Sequence, residues 1–143
     1  MRLVDYARRL FGLAATLHRW LGALGQLEEA RRRRIARYAE RIAATLARAV
    51  QALDRLREAP GDRAARTRAV RELGRVAGYI ETMVEPLEHH LDGRKLAGVK
   101  RRLELLQPGT LHERVVLGLK PAHIERLAAA EGYFRALADG LRT

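Results

Sequence analysis

Cysteine, serine and asparagine are all missing from this chain. Without cysteine there is no disulfide framework, no thiolate zinc site and no redox thiol. Without serine as well, the commonest covalent nucleophiles are gone, and none of the six threonines holds the N-terminal position from which threonine is usually activated. Long apolar runs are missing too. No stretch reaches the ~18 uncharged apolar residues that a membrane-spanning helix requires. The longest uncharged stretch near the start, Leu10 to Leu17, is short for a signal-peptide core and is followed by His18 and Arg19. A soluble cytoplasmic protein is the expectation. Glycines are scattered singly, which leaves neither a Walker-type phosphate loop nor a dinucleotide fingerprint.

Ala, Leu and Arg fill the space instead, and they recur at helical spacing. Leu3, Leu10, Ala14, Leu17, Leu21 and Leu24 follow a three-four repeat with Ala7, widened by Val4, Phe11 and Trp20. Gly22 and Gly25 then interrupt it. A second helix is predicted from near Gln26 to about Glu58, with Ile35, Tyr38, Ile42, Thr45, Ala49, Ala52 and Leu56 on its core stripe and Ala39, Leu46 and Leu53 beside them. The chain turns at Ala59-Pro60-Gly61-Asp62, where Asp62 is placed to cap the next helix. In that helix Val70, Leu73, Ala77, Ile80, Val84, Leu87 and Leu91 keep the repeat, and Pro86 predicts a kink or restart near Glu85. A fourth helix is expected over 92–106, carrying Leu96, Val99, Leu103 and Leu106. A last one opens at Pro121, a residue suited to a first helical position, and carries Ile124, Leu127, Phe134, Leu137 and Leu141. No segment alternates with period two. The predicted fold is all-α: one domain over 1–143, with an antiparallel four-helix-bundle-like core in 1–106 and an additional C-terminal helix within 107–143. The wide stripes leave apolar surface for a second copy of the chain.

The best cluster for chemistry is Glu81, Glu85 and His89, four apart on one helical face. It sits outside the core stripe, it has no second copy on another helix, and Pro86 disturbs it, so solvated side chains are the plainer reading. No catalytic, cofactor or metal site is expected.

The charge is more informative. The net value of +11 comes from 25 Arg and 3 Lys against 17 acidic residues. A composition typical of a GC-rich genome accounts for Arg over Lys, but not for the surplus of positive charge. Arg34, Arg41, Arg48 and Arg55 recur every seven residues beside the core stripe of the long helix, with Arg31 and Arg37 thickening its beginning. Such a row suits an acidic protein partner or a nucleic-acid backbone. The plain alternative is arginine stems covering the core edge with their heads in water. Aromatics between the basic residues would favour nucleic acid, but Tyr38 and most other rings fall on or beside core stripes.

Leu10-Phe11-Gly12-Leu13, then Arg34 through Leu46, and later Arg71-Glu72-Leu73, Tyr79, Pro86, Leu91, Lys95-Leu96 and Leu103 form a pattern. Over residues 1–106 this pattern resembles the small all-helical effector-associated modules of bacterial conflict proteins, which pair with matching modules somewhat as death-fold adaptors do. The resemblance implies an adaptor or regulatory partner in a defence system. The residues themselves lead to a non-enzymatic interaction module that uses Arg31, Arg34, Arg37, Arg41, Arg48 and Arg55 against an acidic partner, with a basic nucleic-acid-binding accessory protein as the alternative.

Overall fold

The computed structural model describes residues 3–85, 94, 97–98, 101 and 119–142, and every regular element among them is helical. The elements are α1 (Leu3–Arg19), the single turn α2 (Leu21–Leu24), α3 (Glu29–Glu58), α4 (Arg63–Val84) and α5 (Pro121–Arg142). Arg94, Ala97, Gly98 and Arg101 are helical and exposed. The rest of the expected fourth helix, and with it Leu87, Leu91, Leu96, Val99, Leu103 and Leu106, lies outside the described residues.

Local chemistry accounts for the boundaries. Asp5 lies in the first turn of α1 and His18 and Arg19 in its last, the order the helix dipole favours. Gln26 and Leu27 donate N–H groups three residues back, to Ala23 and Leu24. That turn, followed by extended Glu28, delays α3 to Glu29, three residues past its predicted start. The 30-residue α3 ends where predicted, before Ala59. At the start of α4 the Asp62 carboxylate accepts the Ala65 N–H at 3.0 Å, the expected cap. α4 stops at Val84, and Glu85 donates its N–H to Glu81, so the helix closes just short of Pro86.

α3 is the organising element. It packs along α4 on one flank and α5 on the other, while α1 packs along α5. Its buried face alternates Ile35, Ile42, Leu46, Leu53 and Leu56 with Ala36, Ala39, Ala43, Ala49 and Ala52. These small side chains let neighbouring helices approach closely on both flanks. The short 59–62 turn makes α3 and α4 antiparallel. Arg142, at the end of α5, pairs with Glu40 in the first half of α3, so these two helices are antiparallel as well. Tyr133 meets Phe11 and His18 while Gly140 abuts Leu21, which makes α5 parallel to α1. The C-terminal helix thus fills the seam between α1 and α3, and its Leu127, Phe134 and Leu137 are core residues rather than an outer layer.

Two core members escape the repeat as read from the sequence. Tyr6 is fully buried and donates its hydroxyl to the Leu73 carbonyl at 2.7 Å, tying α1 to α4. Leu13 is fully buried as well. Both complete a second three-four register through Leu3, Leu10 and Leu17, so α1 buries two adjacent stripes. Tyr38 departs in the opposite direction. Placed on the core stripe by its spacing, it is only half-buried, at the α3 edge.

Candidate functional site

The heptad row on α3 lies along its seam with α4, and the structure shows what surrounds each head. The Arg41 guanidinium lies 5.4 Å from the centre of the Tyr38 ring and that of Arg34 lies 5.9 Å from it, on either side in sequence. Both are cation–π distances. Across the seam Tyr79 of α4 sits 6.3 Å from Tyr38, and the Arg75 guanidinium lies 5.6 Å from the Tyr79 ring. Arg75 also donates to the Tyr79 hydroxyl at 2.8 Å. That bond, with the charge of Glu72 nearby, raises the Arg75 pKa above its already high ordinary value. A ladder of guanidiniums and tyrosine rings therefore bridges the two helices, and the rings hold the heads in place.

Among the described residues one acid is paired within this seam. Glu72, with a side chain only 8% exposed, takes Arg48 Nε at 3.3 Å on one oxygen and Arg75 Nη1 at 3.5 Å on the other. Arg48 is further steadied by the Thr45 hydroxyl at 3.1 Å, and Thr45 in turn donates to the Arg41 carbonyl at 2.7 Å. Glu72 was not singled out from the sequence. The signal was present, since it falls on the α4 stripe of Ala65, Ala69 and Val76, where an acid needs a cation opposite.

The remaining arginines of the seam have no carboxylate within ion-pair distance among the described residues. These are Arg34, Arg41 and Arg55 on α3, with Arg63, Arg68 and Arg71 beside Glu72 on α4, where they line a shallow depression with Thr67. Elsewhere Arg8 pairs with Asp5, Arg33 with Glu29, Arg57 with Asp54 and Arg135 with Glu131 within about one helical turn, and Arg142 pairs with Glu40 across the α3–α5 contact. Among the described residues the α3–α4 seam thus carries a row of guanidiniums without carboxylate partners, as Arg32 and Arg37 do on the opposite flank of α3. Of the six arginines picked from the sequence, Arg34, Arg41, Arg48 and Arg55 share that face. Arg31 is half-buried one turn ahead of them. Arg37 turns instead toward the end of α5, where it lines a cleft with Arg32, Arg33 and Arg142.

Glu81 and Glu85 are exposed, and His89 lies outside the described residues. Among the described residues no three His, Asp or Glu side chains gather as a metal would need, and no helix is long and apolar enough to cross a membrane. No family model, no curated protein and no solved structure matches this chain.

Proposed function

We propose that this protein is a non-enzymatic helical interaction module that docks an acidic surface of a partner protein on its α3–α4 face. The observation that carries the reading is the seam itself: among the described residues Arg34, Arg41, Arg55, Arg68 and Arg71 have no carboxylate partner, while Glu72 is shared between Arg48 and Arg75 and Tyr38 and Tyr79 lie against the row. Guanidiniums held against tyrosine rings give up less conformational freedom when they meet a carboxylate, which favours affinity. An adaptor role in a bacterial regulatory or defence system, of the kind the resemblance implies, would use the same face.

The test is a comparison of baits in the native host. Wild-type protein and the double charge reversal Arg41→Glu with Arg55→Glu are each cross-linked to their surroundings, and captured proteins are quantified. An acidic protein enriched by the wild type and lost with the reversal is the expected result. Equal capture by both would remove the reading.

Nucleic acid is the second reading, favoured by Tyr38 and Tyr79 lying between the arginines of the face. Titration of single- and double-stranded DNA and RNA at two salt concentrations decides it, because phosphate-driven binding weakens steeply with salt. Binding that tracks Arg41 and Arg55 while the protein baits capture nothing would replace the first reading with this one.

A further inference from the structure

A second basic site lies apart from the α3–α4 face, on the opposite flank of α3. There a half-open cleft of about 470 Å³ separates the first turns of α3 from the end of α5. Its walls are Arg32, Arg33 and Arg37 of α3, Leu141 and Arg142 of α5, and one acid, Glu29. Residues more than a hundred positions apart bring these guanidiniums together, so local helical spacing alone does not produce the cluster. Two of them are already engaged, Arg33 with Glu29 at 2.6 Å and Arg142 with Glu40. The Arg142 bond also holds the Glu40 carboxyl below its ordinary range.

The other two are not engaged. The Nε of Arg32 is enclosed by protein and donates to no acceptor, an uncommon condition for a buried polar atom. Arg37 is exposed at the rim and has no carboxylate partner among the described residues. The cleft also opens at the positive end of the α3 dipole, where no side chain caps the first turn. Two unneutralised guanidiniums match a dianion, and the planar fork matches phosphate oxygens. The volume exceeds what one phosphate fills and falls in the range of small-molecule sites, and because Leu141 is only 2% exposed the arginine stems supply the apolar wall.

We propose that this cleft binds a small phosphate ester, with its phosphate on Arg32 and Arg37 and its organic body against the aliphatic stems of the lining arginines. The site is independent of the α3–α4 face. The test is calorimetric titration of the full chain with AMP, inorganic phosphate and adenosine at about 150 mM salt, where long-range attraction is screened. AMP should bind at one site, more tightly than inorganic phosphate, and adenosine should not bind. Arg32→Ala and Arg37→Ala should each weaken AMP by about tenfold or more, the loss expected for a charge-assisted hydrogen bond. Arg41→Ala and Arg55→Ala should leave it unchanged, which separates this site from the docking face. Arg37 is exposed, so its variant keeps the fold even where Arg32→Ala perturbs it. Silence with both AMP and phosphate, or equal weakening by Arg41→Ala, would overturn the proposal. Equal affinity for phosphate and AMP would overturn the contact of the organic body with the arginine stems.

Discussion

Replacing Glu72 by Gln should move stability and binding in opposite directions. Its carboxylate is 8% exposed and shared between Arg48 at 3.3 Å and Arg75 at 3.5 Å. Breaking a fully buried pair costs about 3–5 kcal/mol. Here the arginine side chains are 37% and 45% exposed, and both contacts are long. Water therefore screens much of the attraction, and about 1–2 kcal/mol is the appropriate scale. For a domain of this size that is a fall in melting temperature of roughly 3–6 °C, read by circular dichroism or calorimetry. The same substitution releases Arg48 and Arg75 from the one acid they share among the described residues and adds one net positive charge to the face. A charge contact at about 4 Å in water is worth about 1 kcal/mol, or roughly a fivefold gain in affinity for an anionic probe. Fluorescence anisotropy with labelled poly-glutamate, at matched salt and below the melting range, reads that gain. If E72Q weakens the probe in step with its loss of stability, Glu72 supports a binding surface elsewhere and the α3–α4 face is not where anions dock.

Other consequences concern the fold. Tyr6→Phe should cost about 0.5–1.5 kcal/mol at neutral pH, the net worth of its bond to Leu73. Burial pushes the Tyr6 hydroxyl far above its ordinary value, so the folded state keeps it protonated. The unfolded chain ionises near pH 10, which makes this contribution complete below that pH and progressively lost above it, by about 1.4 kcal/mol at pH 11. Urea melts should therefore show the wild-type advantage over Y6F shrinking from pH 9 to 11, and a constant advantage would contradict the assignment. Phe134→Ala should destabilise by about 3–5 kcal/mol, as for a ring removed from a closed core, and a loss under 1 kcal/mol would show that α5 is not part of the bundle. Asp62→Ala should cost about 0.5–2 kcal/mol by freeing the Ala65 N–H, checked against Asp62→Asn, which retains the acceptor. Gly78→Ala should stabilise by about 0.5–1 kcal/mol, because Gly78 is an exposed helix-interior residue with open space where a Cβ would stand, and a lower melting temperature would contradict this.

Much of the local structure was legible in the sequence. Apolar spacing, the Asp62 cap and the first-position Pro121 marked the starts of α4 and α5 and the end of α3, and came within three residues of the start of α3, because helix formation depends on neighbours three and four positions away. The Arg34, Arg41, Arg48 and Arg55 row was equally visible, since a heptad places residues on one side of a helix whatever that helix packs against. Tyr6 was left off the core stripe and Tyr38 placed on it for a shared reason: periodicity gives an angle around a helix axis but not how far the neighbouring helices wrap around it. α1 is covered widely enough to bury two stripes, and the α3–α4 seam is open enough to leave Tyr38 half-exposed.

The sequence by itself determined that the chain is helical, the starts of α4 and α5 and the end of α3, and that arginine outnumbers its acidic partners. Tertiary structure alone decided which arginines remain unmatched. The pairing of Glu72 with Arg48 across 24 positions and of Glu40 with Arg142 across 102 depends on which helices become neighbours. So does the insertion of α5 parallel to α1 in the seam beside α3. The reason is physical: short-range torsional and capping preferences act within a few residues, whereas neutralising a charge or enclosing a cleft requires groups that only the packed core brings within a few ångströms of each other.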